Sequence, residues 1–276
     1  MTRDRGLEPV RAKKSLGQNF LIDPNFQRKI VDALAVAPDD EVLEIGPGRG
    51  ALTAHLVGRP RRLILVELDD RLAADLVERW GARADVEVVH GDALEIELSA
   101  LTPRPGALKV VSNIPYNITS PLLFRLLARP RPAQILVMIQ REVAERLLAP
   151  PGTSAYGALA VGVRSVGDVE RVLHVPRGAF RPVPGVDSTV VRITPHAPPR
   201  LTEAEEGGLR TLVRAGFQWR RKQLQKILRE HPDLALDRAQ VERIAAETGF
   251  DLTDRPERLS PDELLALSRS VSAARG

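Results

Sequence analysis

The tetrad Asn113-Ile114-Pro115-Tyr116 places a carboxamide, a stiff turn and an aromatic ring side by side. Well upstream, Glu44-Ile45-Gly46-Pro47-Gly48-Arg49-Gly50 forms a glycine loop directly behind an apolar run. A loop of this kind between a strand and a helix brings backbone N–H groups and a helix N-terminus close to a ligand, because no side chains intervene. Gly46 and Gly48 are the positions expected to meet it. A carboxamide oxygen accepts hydrogen bonds from an amine, and a ring beside it holds a planar group by stacking. Together the segments call for an adenosine-type cofactor on one side of a site and a planar amine on the other.

Two carboxylates support the cofactor half. Glu67 ends an apolar run about 20 residues after Gly46, where a carboxylate can accept from both hydroxyls of a ribose. Asp92, in His90-Gly91-Asp92-Ala93, ends the next run and can accept from an adenine amino group. A nicotinamide dinucleotide would want G-x-G-x-x-G and a second mononucleotide-binding half. Here the third glycine comes one residue early and no such half follows, so S-adenosyl-L-methionine fits better.

The acceptor half follows from the weakness of an exocyclic adenine amine, whose lone pair is delocalised into the ring. Accepting hydrogen bonds from that amine in its transition-state geometry offsets the weakness. The Asn113 side-chain oxygen and a backbone carbonyl in Ile114-Pro115 suit this task, and Pro115 fixes where the carbonyl points. Tyr116 is expected to stack on the base, and Phe180, in a Phe-x-Pro-x-Pro loop, to close its other face. A sulfonium is already an excellent leaving group, so no strong base or metal is required. The five histidines are scattered and no cysteine exists. The chemistry indicated is methyl transfer onto a nucleobase amino group.

The elements that must position these residues are legible as an alternation. Asp23-Pro24 starts a helix, with Phe26, Ile30, Val31 and Leu34 as its apolar face. Strand-like runs follow at Glu41–Ile45, Arg62–Val66, Val86–Val89, Leu108–Val111 and Ala133–Ile139. Helical patterns at Ala51–Val57, Arg71–Trp80, Pro121–Ala128 and Arg141–Leu148 separate or follow them. Near-continuous apolar strands alternating with helices predict an α/β fold with a mainly parallel sheet covered on both faces. Tyr156–Val166 suits helix or strand equally. Val169–Val175 and Ser188–Ile193 read as late strands that add antiparallel to the sheet edge. Pro195-His196-Ala197-Pro198-Pro199 reads as a linker, which divides the chain into residues 1–199 and a small all-helical domain, 200–276.

Composition narrows the partners. The 276 residues carry a net charge of +4 and the basic residues cluster. Arg210, Arg214, Arg220, Arg221, Lys222, Lys226 and Arg229 form a stripe uninterrupted by acids, and Lys13 and Lys14 belong to a second cluster. Two such clusters around a base-modifying site suggest a nucleic-acid backbone. There is no apolar run of the roughly 18 residues a membrane helix needs, and no apolar stretch behind the basic N-terminus, so a cytoplasmic protein is expected.

Lys14-Ser15-Leu16-Gly17-Gln18-Asn19-Phe20-Leu21, the Glu44–Gly50 loop, Val66-Glu67-Leu68-Asp69, Gly91-Asp92-Ala93, Asn113–Asn117, Gln140–Arg146, Tyr156-Gly157 and Phe180–Ser188 form an ordered set. As a set they resemble the KsgA-type small-subunit ribosomal RNA adenine dimethyltransferases. The likeness runs from about residue 13 to 194 and continues in Gln218–Lys222 and beyond. It implies a class I, Rossmann-like methyltransferase fold, S-adenosyl-L-methionine as donor, and N6,N6-dimethylation of two adjacent adenosines in the 3′-terminal hairpin loop of small-subunit rRNA. It also implies that Asn19 and Leu21 join Gly46, Glu67, Asp92 and Asn113 in the cofactor pocket. The expected partner is rRNA within a pre-ribosomal 30S particle, met by Lys13, Lys14, Arg220, Arg221 and Lys222. The macrolide-resistance methyltransferases share the Asn-x-Pro-Tyr core but modify large-subunit rRNA; Tyr156-Gly157 and Pro184–Ser188 fit the KsgA type better. A third reading is an RNA-binding ribosome assembly factor whose methylation is secondary.

Overall fold

Asp23 opens the first helix as its residue type predicts. Its carboxylate accepts from the N–H groups of Asn25 and Phe26, and Pro24 fills a position that needs no donor. The computed structural model describes residues 18–275, so Lys13 and Lys14 lie outside the described residues. A two-residue strand β1 (Phe20–Leu21) leads into helix α1 (Pro24–Ala33). The alternation then runs β2 (Glu41–Ile45), α2 (Thr53–Leu56), β3 (Arg62–Glu67), α3 (Asp70–Trp80), β4 (Val86–His90), α4 (Leu98–Leu101), β5 (Lys109–Asn113), α5 (Thr119–Leu126), β6 (Gln134–Gln140) and α6 (Arg141–Leu148). After it come α7 (Ala158–Arg164), β7 (Gly167–Val175), β8 (Phe180–Arg181) and β9 (Ser188–Pro195), and then α8 (Glu203–Gln218), α9 (Leu224–Glu230), α10 (Arg238–Thr248) and α11 (Pro261–Arg275).

Seven strands form one sheet in the order β4-β3-β2-β5-β6-β9-β7. The pairs from β4 through β6 are parallel, and β9 joins β6 antiparallel with Ile135 opposite Ile193. The late strands therefore extend the sheet as their pattern predicts. The chain moves outward from β2 to β4 and then returns to β2's other side with β5. That reversal opens a crevice beyond the strand C-termini, the usual ligand position in sheets of this kind. A separate two-stranded sheet pairs β1 with β8, setting Leu21 opposite Phe180.

The contacts divide the chain into two compact units. The first contains the described residues up to Ala144 together with Glu170–Thr194. In its core Ile30 and Val31 of α1, Leu34 at its C-cap and Leu76 of α3 pack with Val42, Leu63, Leu65, Val111 and Leu136 of the sheet. Burying each such side chain is worth about 1.5–3 kcal/mol, which keeps the strand ends in register.

The second unit joins Glu145–Val169 to the chain from Pro195 onward. This differs from the division at residue 199 drawn from the linker composition. The reason is α7, whose Ala160 and Val161 share a core with Leu209 and Leu212 of α8 and Leu264 and Leu267 of α11. Tyr156 is fully buried there, donates its hydroxyl to the Leu259 carbonyl at 2.9 Å, and meets Phe217 edge-on. Thr202 and Glu205 close a reciprocal capping box at the start of α8.

Candidate active site

The glycine loop bends sharply where β2 ends. Gly46, Gly48 and Gly50 have φ of 65°, 58° and 76°, a region that side chains disfavour. A Cβ on Gly50 would lie 2.3 Å from the Trp80 ring, and one on Gly48 would press on Phe20 at 3.1 Å. At Gly46 a Cβ would meet no neighbour within 4 Å; that glycine lines the cavity.

Glu67 ties this loop to β3. Its Oε2 accepts from the Gly48 N–H at 2.9 Å, while Oε1 accepts from the N–H groups of Leu68 and Asp69 at 3.0 and 2.9 Å. Burial pushes its carboxyl above the ordinary value, against the pull of those bonds. A carboxylate offers about four acceptor positions, so one remains on Oε2 for a ligand. Asp92 accepts from Leu94 N–H through Oδ1 at 2.8 Å, and its Oδ2 has no partner among the described residues.

On the opposite wall β5 ends in Asn113. Its Nδ2 donates to the Asn19 carbonyl at 3.0 Å, which orients the amide and leaves Oδ1 free to accept. Ile114 is buried and anchored by its N–H to the Met138 carbonyl. The Pro115 carbonyl accepts from Ile118 N–H at 3.1 Å, so the Ile114 carbonyl is the backbone acceptor that remains. Tyr116 lies half-buried with its hydroxyl 3.1 Å from Ser188 Oγ, which pins the ring. Burial raises its phenol pKa, so the ring is neutral at physiological pH. Gln18, Asn19, Phe20, Leu21, Glu67, Asp92 and the tetrad all line one cavity.

The model of the ribosomal RNA adenine dimethylase family matches residues 10–259. The chain belongs to that family. It is similar to a ribosomal RNA small subunit methyltransferase A from Geobacter metallireducens, 43% identical over 272 residues and 98% of both chains. Another, from Moorella thermoacetica, is 40% identical over 98% of this chain and 95% of its own. Among solved structures, a dimethyladenosine transferase from Plasmodium falciparum superposes with a TM-score of 0.77 at 28% identity, covering 93% of this chain and 98% of that one. The 23S rRNA methyltransferase ErmE gives 0.69 at 31% identity, over 92% of this chain and all of its own. The expected class I methyltransferase fold is thereby the fold of this chain.

The dimethylase pocket differs from the sequence reading at Phe180. That ring is fully buried in the sheet core with Leu21, Val175 and Val190 and does not line the cavity. Pairing of β8 with β1 turns it inward, so it supports Leu21 rather than closing over a base. Several lining residues had been given no role, among them Leu68, Phe20 and Glu44. Leu68, half-exposed directly after Glu67, offers an apolar face to a flat ring. Phe20 carries the Arg49 guanidinium over its ring at 4.6 Å. Glu44 is buried beside Glu67; burial first, and then the Glu67 charge, push its carboxyl up to about 8, and Thr53 Oγ1 donates to it at 2.7 Å. An acid inside an apolar strand was the signal for Glu44.

In the second unit Arg220, Arg221 and Lys222 occupy the turn between α8 and α9. Arg220 donates to the Thr153 carbonyl at 3.2 Å and lies 3.7 Å from Glu257, and Arg214 pairs with Asp233 at 2.8 Å. Arg221 and Lys222 are exposed, and their side chains have no partner among the described residues. No group of acidic, histidine or cysteine side chains among the described residues could hold a metal ion. No described helix is long and apolar enough to cross a membrane.

Proposed function

We propose that the protein uses S-adenosyl-L-methionine to dimethylate N6 of two adjacent adenosines in the 3′-terminal hairpin loop of small-subunit rRNA, within a pre-ribosomal 30S particle in the cytoplasm. The observation that carries this reading is the Asn113–Asn19 bond, which leaves the Asn113 oxygen and the Ile114 carbonyl as paired acceptors at one strand end. Two acceptors suit the two hydrogens of an exocyclic amine. Holding those hydrogens in tetrahedral geometry draws the nitrogen lone pair out of the ring π-system. The positive charge that builds on nitrogen as the N–C bond forms is then stabilised by fixed dipoles. Tyr116 supplies a flat surface that keeps the base in line, and Pro115 holds the turn.

The cavity fits an adenosine-bearing donor. Gly46 leaves open space beside the loop, Glu67 has one acceptor position for a ribose hydroxyl, and Asp92 Oδ2 is available to an adenine amino group. Asn19, Leu21 and Gly48 complete that wall. The donor brings a methyl group on a sulfonium, which departs as a neutral thioether and needs no protein acid. Arg221 and Lys222, with Lys13 and Lys14, supply phosphate contacts.

A large-subunit target is the second reading, supported by the ErmE likeness. The higher identity to relatives named for the small subunit favours the first. Incubating undermethylated subunits of both kinds with labelled donor, and mapping the label, tests it. Label on paired adenosines near the small-subunit rRNA 3′ end is expected; label confined to large-subunit rRNA overturns the assignment.

A further inference from the structure

The turn joining α8 to α9 borders a second cleft, of about 450 Å³, within the size range of small-ligand sites. Its walls include Trp219, Arg221, Lys222 and Lys226. None of these residues belongs to the methyl-transfer pocket.

Trp219 is one of two tryptophans in the chain and is only half-buried. The His231 ring meets it at 5.0 Å and a 63° angle. His231 is itself fixed: Nε2 lies 3.1 Å from Gln218 Oε1, and Nδ1 accepts the Asp233 N–H at 3.2 Å. A ring braced this way loses little further freedom on meeting a ligand. Its indole N–H has no acceptor among the described residues.

The charges around it are distributed unequally. Arg214 and Arg220 are engaged by Asp233 and Glu257, whereas Arg221 and Lys222 face solvent unpaired among the described residues. Lys226 has only Glu230, at 3.6 Å along its own helix. Trp219 packs against the apolar core of the second unit and also lines the cleft beside Arg221, Lys222 and Lys226, so part of the indole serves packing and part meets the basic wall. A flat aromatic group joined to phosphates satisfies both features at once.

We propose that this cleft is a second nucleotide site, in which an unpaired base of the RNA stacks on Trp219 while neighbouring phosphates meet Arg221, Lys222 and Lys226. It rests on the reading that the protein engages rRNA, and adds a site that holds a base without modifying it.

The full chain is titrated with a short single-stranded RNA and with an abasic strand of equal length and charge. Affinity is read by fluorescence anisotropy, and the Trp219 indole N–H by NMR, assigned through its loss in Trp219→Phe. Trp219→Ala is expected to weaken the base-bearing strand about tenfold and leave the abasic strand unchanged. Trp219→Phe, which keeps a ring in place, loses less and controls for folding. The indole signal moves with the base-bearing strand only. Equal losses on both strands, or an indole signal that neither strand moves, overturns the site. If Arg221→Ala/Lys222→Ala leaves both affinities unchanged while the indole still responds to bases, the stacking site stands and the phosphate reading of the turn fails.

Discussion

Glu67 Oε2 and the Gly48 N–H are joined at 2.9 Å, so the carboxylate expected to hold the donor's ribose also holds the loop that cradles it. With its bonds to Leu68 and Asp69, Glu67 is a structural clamp as well as the proposed ribose ligand. Glu67→Ala strands three backbone N–H groups besides the ribose hydroxyl. We expect donor affinity to fall by roughly 1–3 kcal/mol and the melting temperature to fall as well. Calorimetry and thermal unfolding read the two effects. Unchanged affinity in a folded variant removes Glu67 from the cofactor site.

Asn113→Ala should slow chemistry far more than it weakens donor binding, which loses the Asn113–Asn19 tie of the wall. A transition-state hydrogen bond of this kind is worth roughly 2.7–4 kcal/mol, or a 100- to 1,000-fold loss of rate. Single-turnover methylation, with donor affinity measured separately, decides the matter. A loss of less than about threefold would show that Asn113 does not grip the amine.

Glu44 predicts a pH-dependent stability. Its carboxyl is raised from 4.5 to about 8 in the folded chain, by burial first and by the Glu67 charge. The folded state therefore keeps a proton that the unfolded state releases above about pH 4.5. That difference costs stability progressively as pH rises from the unfolded value toward 8, and the loss levels off beyond. Glu44→Gln keeps an acceptor for Thr53 and cannot ionise. Its melting temperature should gain on the parent more at pH 8 than at pH 5, and an equal difference at both pH values would mean that Glu44 is ionised in the fold.

RNA affinity should fall steeply with salt, because phosphate contacts release counterions. Neutralising Arg221 and Lys222 should flatten the slope of log affinity against log salt by roughly 1–2. Arg220→Ala should chiefly lower the melting temperature, since its guanidinium serves Thr153 and Glu257. The methylated base should stay the same in each, because base identity is read in the pocket. A parental salt slope in the double variant would leave Lys13 and Lys14 as the better candidates.

The sheet was legible because buried parallel strands have to be apolar along their whole length, and β2, β3, β5 and β6 appear where their apolar runs lie. The places of Glu67 and Asn113 at the ends of β3 and β5 were legible for a related reason, since polar residues close those apolar runs, whereas Asp92 lies two residues beyond the end of β4. The Tyr156–Val166 run was ambiguous because it is apolar or glycine at every position up to Val163 and so has no period. Its assignment depends on Leu209, Leu259 and Leu264, far along the chain. Phe180 was misread because the direction of a side chain in a two-residue strand is set by its partner, and nothing local to Phe180 names Leu21. The commitments of Arg220 and Arg214 were equally hidden, since their acids come from other segments.

Gln18 to Leu21 form one wall of the cavity, yet precede every strand of the seven-stranded sheet. The wall is fastened by Asn19 to Asn113, by the Phe20 ring over Gly48, and by β1 to β8. A chain trimmed to start at Asp23 would retain the whole large sheet and forfeit that wall. Leu21 also belongs to the buried core with Phe180, so such a cut removes core packing together with the wall and should lower the melting temperature as well as donor affinity.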